Sequence, residues 1–353
     1  MAENLRLDSH KLIFHPEEVG RWNKGEFIPP IEVEISLSSA CNHRCTFCGV
    51  EWMGYKPNIL EKEILLKNLN QMAIAGVKSV VYAGEGEPLI HKDAIEIFAK
   101  TKEYGIDEAM STNGVLLTRE KAKVCLQNFT WIRFSIAAGS SQMYEDIHRA
   151  APGDFQKVLS NLEGAVAIKK DQKLSTTLGI QLLWIPENKN EIVKLGKLAK
   201  NLGVDYFTVK PFRQTEENQL HLDVSYEEAS EVKRELLELE SSDFRIYMRE
   251  NLMEDLCLKK SYNQCYGINF MSYIGATGDV FPCCTLLGRK EFSYGNIYEK
   301  DFLFLWKSAK TRTMMEKFSG ENLEKYCLDG CRMEAINKYL YQLKNPNAHV
   351  NFI

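Results

Sequence analysis

Between residues 31 and 210 the sequence switches period repeatedly, and this alternation constrains the fold more than any other feature. Short β-rich runs stand at IEVEISL (31–37), SVVYAG (79–84), IDEAMST (106–112), WIRFSI (131–136), TTLGIQLLWI (176–185) and VDYFTVK (204–210). Between them lie amphipathic segments such as EKEILLKNLNQMAIAG (61–76), KDAIEIFAKTKEYG (92–105) and DFQKVLSNLEGAVAIKK (154–170). Apolar residues recur there at three and four, the helical spacing. Strand–helix units in succession give a parallel sheet whose connections cross on one hand. Six units suit an open doubly wound sheet or most of a β/α barrel, and in either case functional groups collect at the C-terminal strand ends.

The remaining chain divides around this core. Residues 1–30 are too few to fold alone and end at Pro29-Pro30, so they form an N-terminal arm. The core occupies 31–215, and 216–255 is a helical connection with its helix at about 225–240 (SYEEASEVKRELLELE). A second, α+β unit fills 256–353, with short strands and turns in MSYIGATGDVFPCC and helices near 302–318 and 330–343. A net charge of −4 without a long basic run argues against a nucleic-acid or membrane-surface partner. No apolar stretch approaches the roughly 18 residues of a spanning helix. The opening MAENLRLDSH lacks the apolar segment of a secretion signal, so a cytoplasmic location is expected.

In a reducing compartment ten cysteines read as metal ligands, catalytic thiols or small core residues. Their placement is uneven: Cys41, Cys45 and Cys48 lie on one short segment, and Cys257, Cys265, Cys283, Cys284, Cys327 and Cys331 lie beyond residue 256. Cys125, in KAKVCLQNF, falls on the apolar face of a short helix and reads as a core thiol. The segment ACNHRCTFC follows the first strand, and three sulfurs on so short a loop can converge on one object. Zinc usually takes four ligands as two pairs, whereas three thiolates suit a four-iron cubane with one open iron. His43 is a possible fourth ligand but reads as a solvated histidine.

This C-x3-C-x2-C spacing, with Phe47 before the third cysteine, resembles the cluster motif of the radical S-adenosylmethionine (SAM) superfamily. The resemblance implies a partial (β/α)6 TIM-like barrel with Cys41, Cys45 and Cys48 on a [4Fe-4S] cluster. The open iron would chelate SAM, and one electron would release a 5′-deoxyadenosyl radical. AGEGEPLI after the second strand is similar to the family's GGEP segment, with Gly86 and Glu87 in place and Glu85 where a second glycine is usual. Glu87 is then the better candidate for the SAM ammonium. Asn113 in the Ser-Thr-Asn-Gly turn, Ser135 at the fourth strand end and Arg149 after the next helix resemble further SAM contacts. Arginine's planar fork matches a carboxylate; on the residues alone, Arg149 would pair with Glu145 or Asp146.

The later cysteines read C-x12-G-x4-C at Cys265, Gly278 and Cys283, then C-x3-C at Cys327 and Cys331. Four thiolates from two segments suit a structural zinc or a cluster. The pattern resembles the SPASM and shortened twitch auxiliary-cluster domains, here with fewer cysteines than the full form, which implies one auxiliary [4Fe-4S] cluster. The implied ligands are Cys265, Cys283, Cys327 and Cys331, with Cys257 the alternative to Cys327. Cys284 points away from its neighbour if the segment is a strand. Two cubanes, SAM and an electron donor such as flavodoxin or ferredoxin are thus expected. The resemblance leaves a small polar substrate (sugar, cyclitol or nucleotide derivative) or a peptide, with oxidation or epimerisation as the outcome. The small arm favours the compact substrate. Lys210 and Arg213, past the sixth strand, are candidates for an anionic substrate group or for solvated ion pairs, and Trp52 and Tyr55 for the site wall or the core cover. A non-catalytic zinc or cluster sensor is the reading from another class.

Overall fold

The structure, a computed structural model, describes residues 5–214, 222, 224–256 and 258–352. Cys257 therefore lies outside the described residues. The arm carries α1 (Pro16–Asn23). The core then runs β1 (Glu32–Ile35), α2 (Lys62–Ala75), β2 (Ser79–Tyr82), α3 (Ala94–Glu103), β3 (Asp107–Thr112), α4 (Arg119–Asn128) and β4 (Phe129–Ser135). It continues through α5 (Ser141–His148), α6 (Asp154–Asp171), β5 (Thr177–Trp184), α7 (Ile192–Leu202), β6 (Tyr206–Pro211), α8 (Ala229–Leu237) and β7 (Arg245–Met248). After α9 (Glu250–Asp255) come β8 (Met271–Ile274), β9 (Asp279–Phe281), β10 (Gly295–Asn296), α10 (Phe302–Lys307), α11 (Ala309–Lys317), α12 (Glu321–Tyr326) and α13 (Glu334–Lys344).

All of these strands form one sheet in the order β10-β9-β8-β1-β2-β3-β4-β5-β6-β7, parallel from β8 to β7 and not closed. This is the partial barrel expected, with two differences. The connection at 216–255 contains a seventh parallel strand, β7, only four residues long and framed by charge. The hairpin β8–β9 is no separate layer, because β8 pairs residue for residue with β1. The helix expected over 302–318 is broken at Ser308, whose hydroxyl accepts from Thr311 N–H and starts α11 afresh.

Alternation along each strand separates two faces. In β4, Ile132 and Phe134 are buried under the helices, while Trp131, Arg133 and Ser135 are half-buried on the concave side. On the convex side Phe98 packs on Tyr82 at 4.7 Å and on Phe129 at 4.9 Å. Cys125 is fully buried in this layer, as expected of a core thiol. Buried beside it is Glu108, with no hydrogen-bond partner on either carboxylate oxygen among the described residues. Burial pushes its carboxyl from 4.5 up to about 9, against a partial offset from Lys102. Between those values the folded chain holds a proton that the unfolded chain has shed, so stability falls as pH rises through that window. Glu108→Gln is expected to flatten this slope and to stabilise the protein by on the order of 2 kcal/mol at pH 7, read by denaturant unfolding from pH 5 to 9.

The open seam between β7 and β8 is stopped by the arm and the C-terminal segment. Leu5 N–H donates to the Tyr247 hydroxyl at 3.2 Å, and Asp8 accepts from Asn251 N–H at 2.9 Å. Leu12, Val19, Trp22, Ile28 and Ile31 form a small core with Phe270 and Leu340. The arm is thus a wall of the barrel rather than an appendage.

Candidate active site

The cysteine loop leaves the C-terminal end of β1 and is pinned to the end of α5. Arg44 N–H donates to the His148 carbonyl at 3.0 Å and Thr46 N–H to that of Ile147 at 2.8 Å. The Arg44 guanidinium folds back on the Cys41 carbonyl at 2.6 Å and lies over the Tyr55 ring at 4.1 Å. Cys41, Cys45 and Cys48 are half-buried free thiols, and no fourth cysteine stands on the loop. Three exposable sulfurs held by backbone bonds fit a cubane with one unligated iron and lack the fourth ligand of a closed zinc site.

His43 is not solvated. It is buried, with Nε2 3.3 Å from Asp154 Oδ2 and Nδ1 without a partner among the described residues, because α5 and α6 cover it with Tyr144 and His148. Its ring nitrogen, Cys45 Sγ and a His148 nitrogen all lie within 4.8 Å of one another. His148 was not singled out in the sequence, yet its Nδ1 is 3.1 Å from Cys45 Sγ. Its Nε2 accepts the Ala137 N–H at 3.0 Å, so the ring's single proton belongs on Nδ1, directed at the sulfur. Burial pushes His148 down to about 3, which keeps the ring neutral. Phe47 packs edge-on to it at 5.3 Å.

The neighbouring strand ends close around this loop. Gly86 sits where a Cβ would fall 2.6 Å from the Ser38 carbonyl oxygen and still closer to that of Ala40, so only glycine fits. Glu87 is buried and accepts from Thr112 Oγ1 at 2.7 Å, Leu89 N–H at 3.2 Å and Asn113 N–H at 2.8 Å. It braces the ends of β2 and β3, and only the spare lone pair of Oε2 is left for a ligand's ammonium. Asn113 Nδ2 donates to Asn42 Oδ1 at 2.7 Å, within the loop itself. Glu85 faces the other way and accepts the Ala276 N–H at 2.9 Å in the β8–β9 turn, which accounts for a carboxylate in a glycine's place. Ser135 is half-buried on the concave face. Arg149, at φ 45° after α5, is mostly exposed and meets Glu51 at 3.8 Å rather than Glu145 or Asp146. Trp52 is partly exposed, against Gly288 of the second unit, and Tyr55 lies beside Cys48.

Cys265, Cys283, Cys327 and Cys331 line one apolar cavity with Ile268, Leu286, Phe318 and Met333. Asn337 Nδ2 donates to Cys265 Sγ at 3.4 Å and Met333 N–H to Cys331 Sγ at 3.4 Å. Four thiols in an otherwise apolar cavity fit a thiolate-held cluster. Cys284 opens a short 3-10 turn instead of continuing β9, and it packs with Tyr273, Phe281 and Leu287 outside that cavity.

Residues 35–207 match the Radical SAM superfamily and residues 265–332 the SPASM iron-sulfur cluster-binding domain, together about two thirds of the chain. The chain is 23% identical over 302 residues to the tungsten-containing aldehyde ferredoxin oxidoreductase cofactor-modifying protein of Pyrococcus furiosus, covering 78% of this chain and 80% of that one. It is 25% identical over 334 residues to the AdoMet-dependent heme synthase of Methanosarcina barkeri, covering 87% and 92%. Streptococcus suis SuiB bound to S-adenosylmethionine shares the fold, with TM-score 0.69 at 16% identity over 95% of this chain and 79% of that one. The cofactors are SAM and iron–sulfur clusters. No helix among the described residues is long and apolar enough to cross a membrane. The protein is a radical SAM enzyme with a SPASM auxiliary-cluster domain.

Proposed function

We propose that the enzyme abstracts hydrogen from a small polar substrate, such as a sugar, cyclitol or nucleotide derivative, and that the outcome is oxidation or epimerisation. The observation that carries this reading is the loop of Cys41, Cys45 and Cys48, facing the strand ends that bear Glu87, Asn113 and Ser135. A cluster held by Cys41, Cys45 and Cys48 would supply the electron for reductive cleavage of SAM and thereby the hydrogen-abstracting chemistry. The chain's own residues do the rest: Gly86 lets the second strand end approach the loop, Asn113 ties to it, and His148 directs an N–H at Cys45. The second group, Cys265, Cys283, Cys327 and Cys331, would hold one auxiliary [4Fe-4S] cluster able to accept the substrate's second electron. Two relatives named for cofactor chemistry, each matched over most of its length, support a compact substrate.

A peptide substrate is the second reading. Cys284, held outside the cluster cavity and close enough to Lys210 on the concave face to interact with it, suits a hydrogen-atom donor for epimerisation. Anaerobic reconstitution is expected to give a brown protein with about eight irons per chain, and dithionite with SAM to give 5′-deoxyadenosine. A colourless zinc protein, or a brown one that leaves SAM intact, overturns the proposal. Deuterium from solvent in the product would mark epimerisation, and its loss in Cys284→Ala would assign the donor.

A further inference from the structure

The concave face carries an imbalance of charge. Arg133 from β4, Lys210 from β6 and Arg249 just past β7 stand on it, joined by Arg213 and Arg332. They are near enough that Lys210 feels Arg213, Arg249 and Arg133, and Arg249 feels Arg133, Arg213 and Arg332. Two of the five are compensated in direct contact, Arg332 by Glu34 at 2.5 Å and Arg249 by Asp8 at 3.7 Å, and Glu32 on the same face of β1 acts on Arg332 and Arg133 from farther off. Among the described residues the other three have no carboxylate within 4.0 Å. Arg133 reaches only Ser111 Oγ, at 2.8 Å, and lies over the Trp131 ring at 5.0 Å. Arg213 donates to the Gly330 carbonyl at 3.3 Å, and Lys210 has no hydrogen-bond partner among the described residues.

Gathering half-buried cations with no carboxylate in direct contact is costly, because neighbouring like charges repel one another where solvent screens them only in part. Burial and those neighbours press Lys210 down to about 7. A fold that pays this cost on one wall of its chamber gains most when an anion arrives there. The wall adjoins both centres: Arg213 and Arg332 act on Cys331, Lys210 interacts with Cys284, and Ser135 lies two residues beyond Arg133 on the same face.

We infer that Arg133, Lys210 and Arg213 form an oxyanion site for the substrate, so that the molecule attacked carries a carboxylate or a phosphate group. This deepens the proposed function and rests on it. Two arginine forks and an ammonium suit either anion, bidentate from arginine and as a point charge from lysine.

The test is equilibrium dialysis of the reconstituted holoenzyme, with SAM present, against labelled inorganic phosphate in one arm and labelled succinate in the other. Saturable binding of one probe per chain is expected, weakened about tenfold in Lys210→Met and in Arg213→Met, and largely kept in Lys210→Arg. Arg133→Leu provides an independent variant if either methionine variant loses iron. No saturable binding of either probe, or binding unchanged in the variants, overturns the inference. So does a parallel tenfold loss of SAM affinity in the same variants, which would give the cations to the SAM carboxylate. Each of these outcomes leaves the proposed function standing, whereas failure of the wild-type protein to form 5′-deoxyadenosine sinks that function by itself.

Discussion

Cys45→Ala is expected to reduce 5′-deoxyadenosine formation to background while the chain stays folded and keeps about half its iron. Cys45 sits at the centre of the loop, pinned on either side by backbone bonds from Arg44 and Thr46 to the end of α5. Those bonds use main-chain atoms, so removing one sulfur leaves the loop's path intact. Two thiolates cannot retain a cubane designed for three, and the auxiliary cysteines, on a different part of the sheet, are untouched. Iron analysis on anaerobically reconstituted protein should fall from about eight to about four per chain, with an unchanged unfolding midpoint. The matching control is Cys125→Ala, which removes a buried sulfur from the helical layer and should lower stability without altering iron content. Full iron content and continued SAM cleavage in Cys45→Ala would remove Cys45 from the ligand set.

His148→Phe is expected to make the N-terminal cluster harder to reduce. Ala137 fixes the tautomer, the Tyr144 ring at 4.3 Å fixes the plane, and Nδ1–H points at Cys45 Sγ from 3.1 Å. A donor aimed at a ligating sulfur favours the state with more negative charge, which is the reduced one. Losing about 1 kcal/mol of that preference moves the midpoint down by on the order of 40 mV, and loss of a supporting partner of this kind typically costs about 10- to 100-fold in activity. Phenylalanine keeps the ring packing, so a purely structural histidine would show no shift in an EPR-monitored redox titration. His148→Asn offers an N–H near the same place and should recover part of the potential. An unchanged potential in the phenylalanine variant would reduce His148 to packing.

Much of the barrel was readable because its convex residues are apolar at every second position and its helices repeat at three and four. The seventh strand escaped because RIYM is four residues long and lies between arginines and carboxylates, where local pattern carries little signal. The gathering of Cys265, Cys283, Cys327 and Cys331 around one cavity was legible through their spacing. His43 and His148 were not: what buries them is α5 and α6 returning over the loop, a contact more than 100 residues away in sequence. Arg149 drew attention by order along the chain, yet it lies mostly in solvent against Glu51. Glu85 looked like a departure from a motif, and its reason lies across the sheet at Ala276. Local pattern identifies elements, whereas pairings between distant segments decide which side chains meet.

The parallel ladder between β1 and β8 has a consequence for how the two redox centres communicate. Four residue pairs tie the segment before the first cysteine loop to the segment between Cys265 and Cys283. The auxiliary unit therefore cannot swing out as a hinged door without breaking the sheet. Clusters held by the two cysteine groups would keep a separation set by this ladder and not by occupancy of the chamber. Substrates of different bulk would then be admitted by side-chain and loop adjustment around a fixed frame.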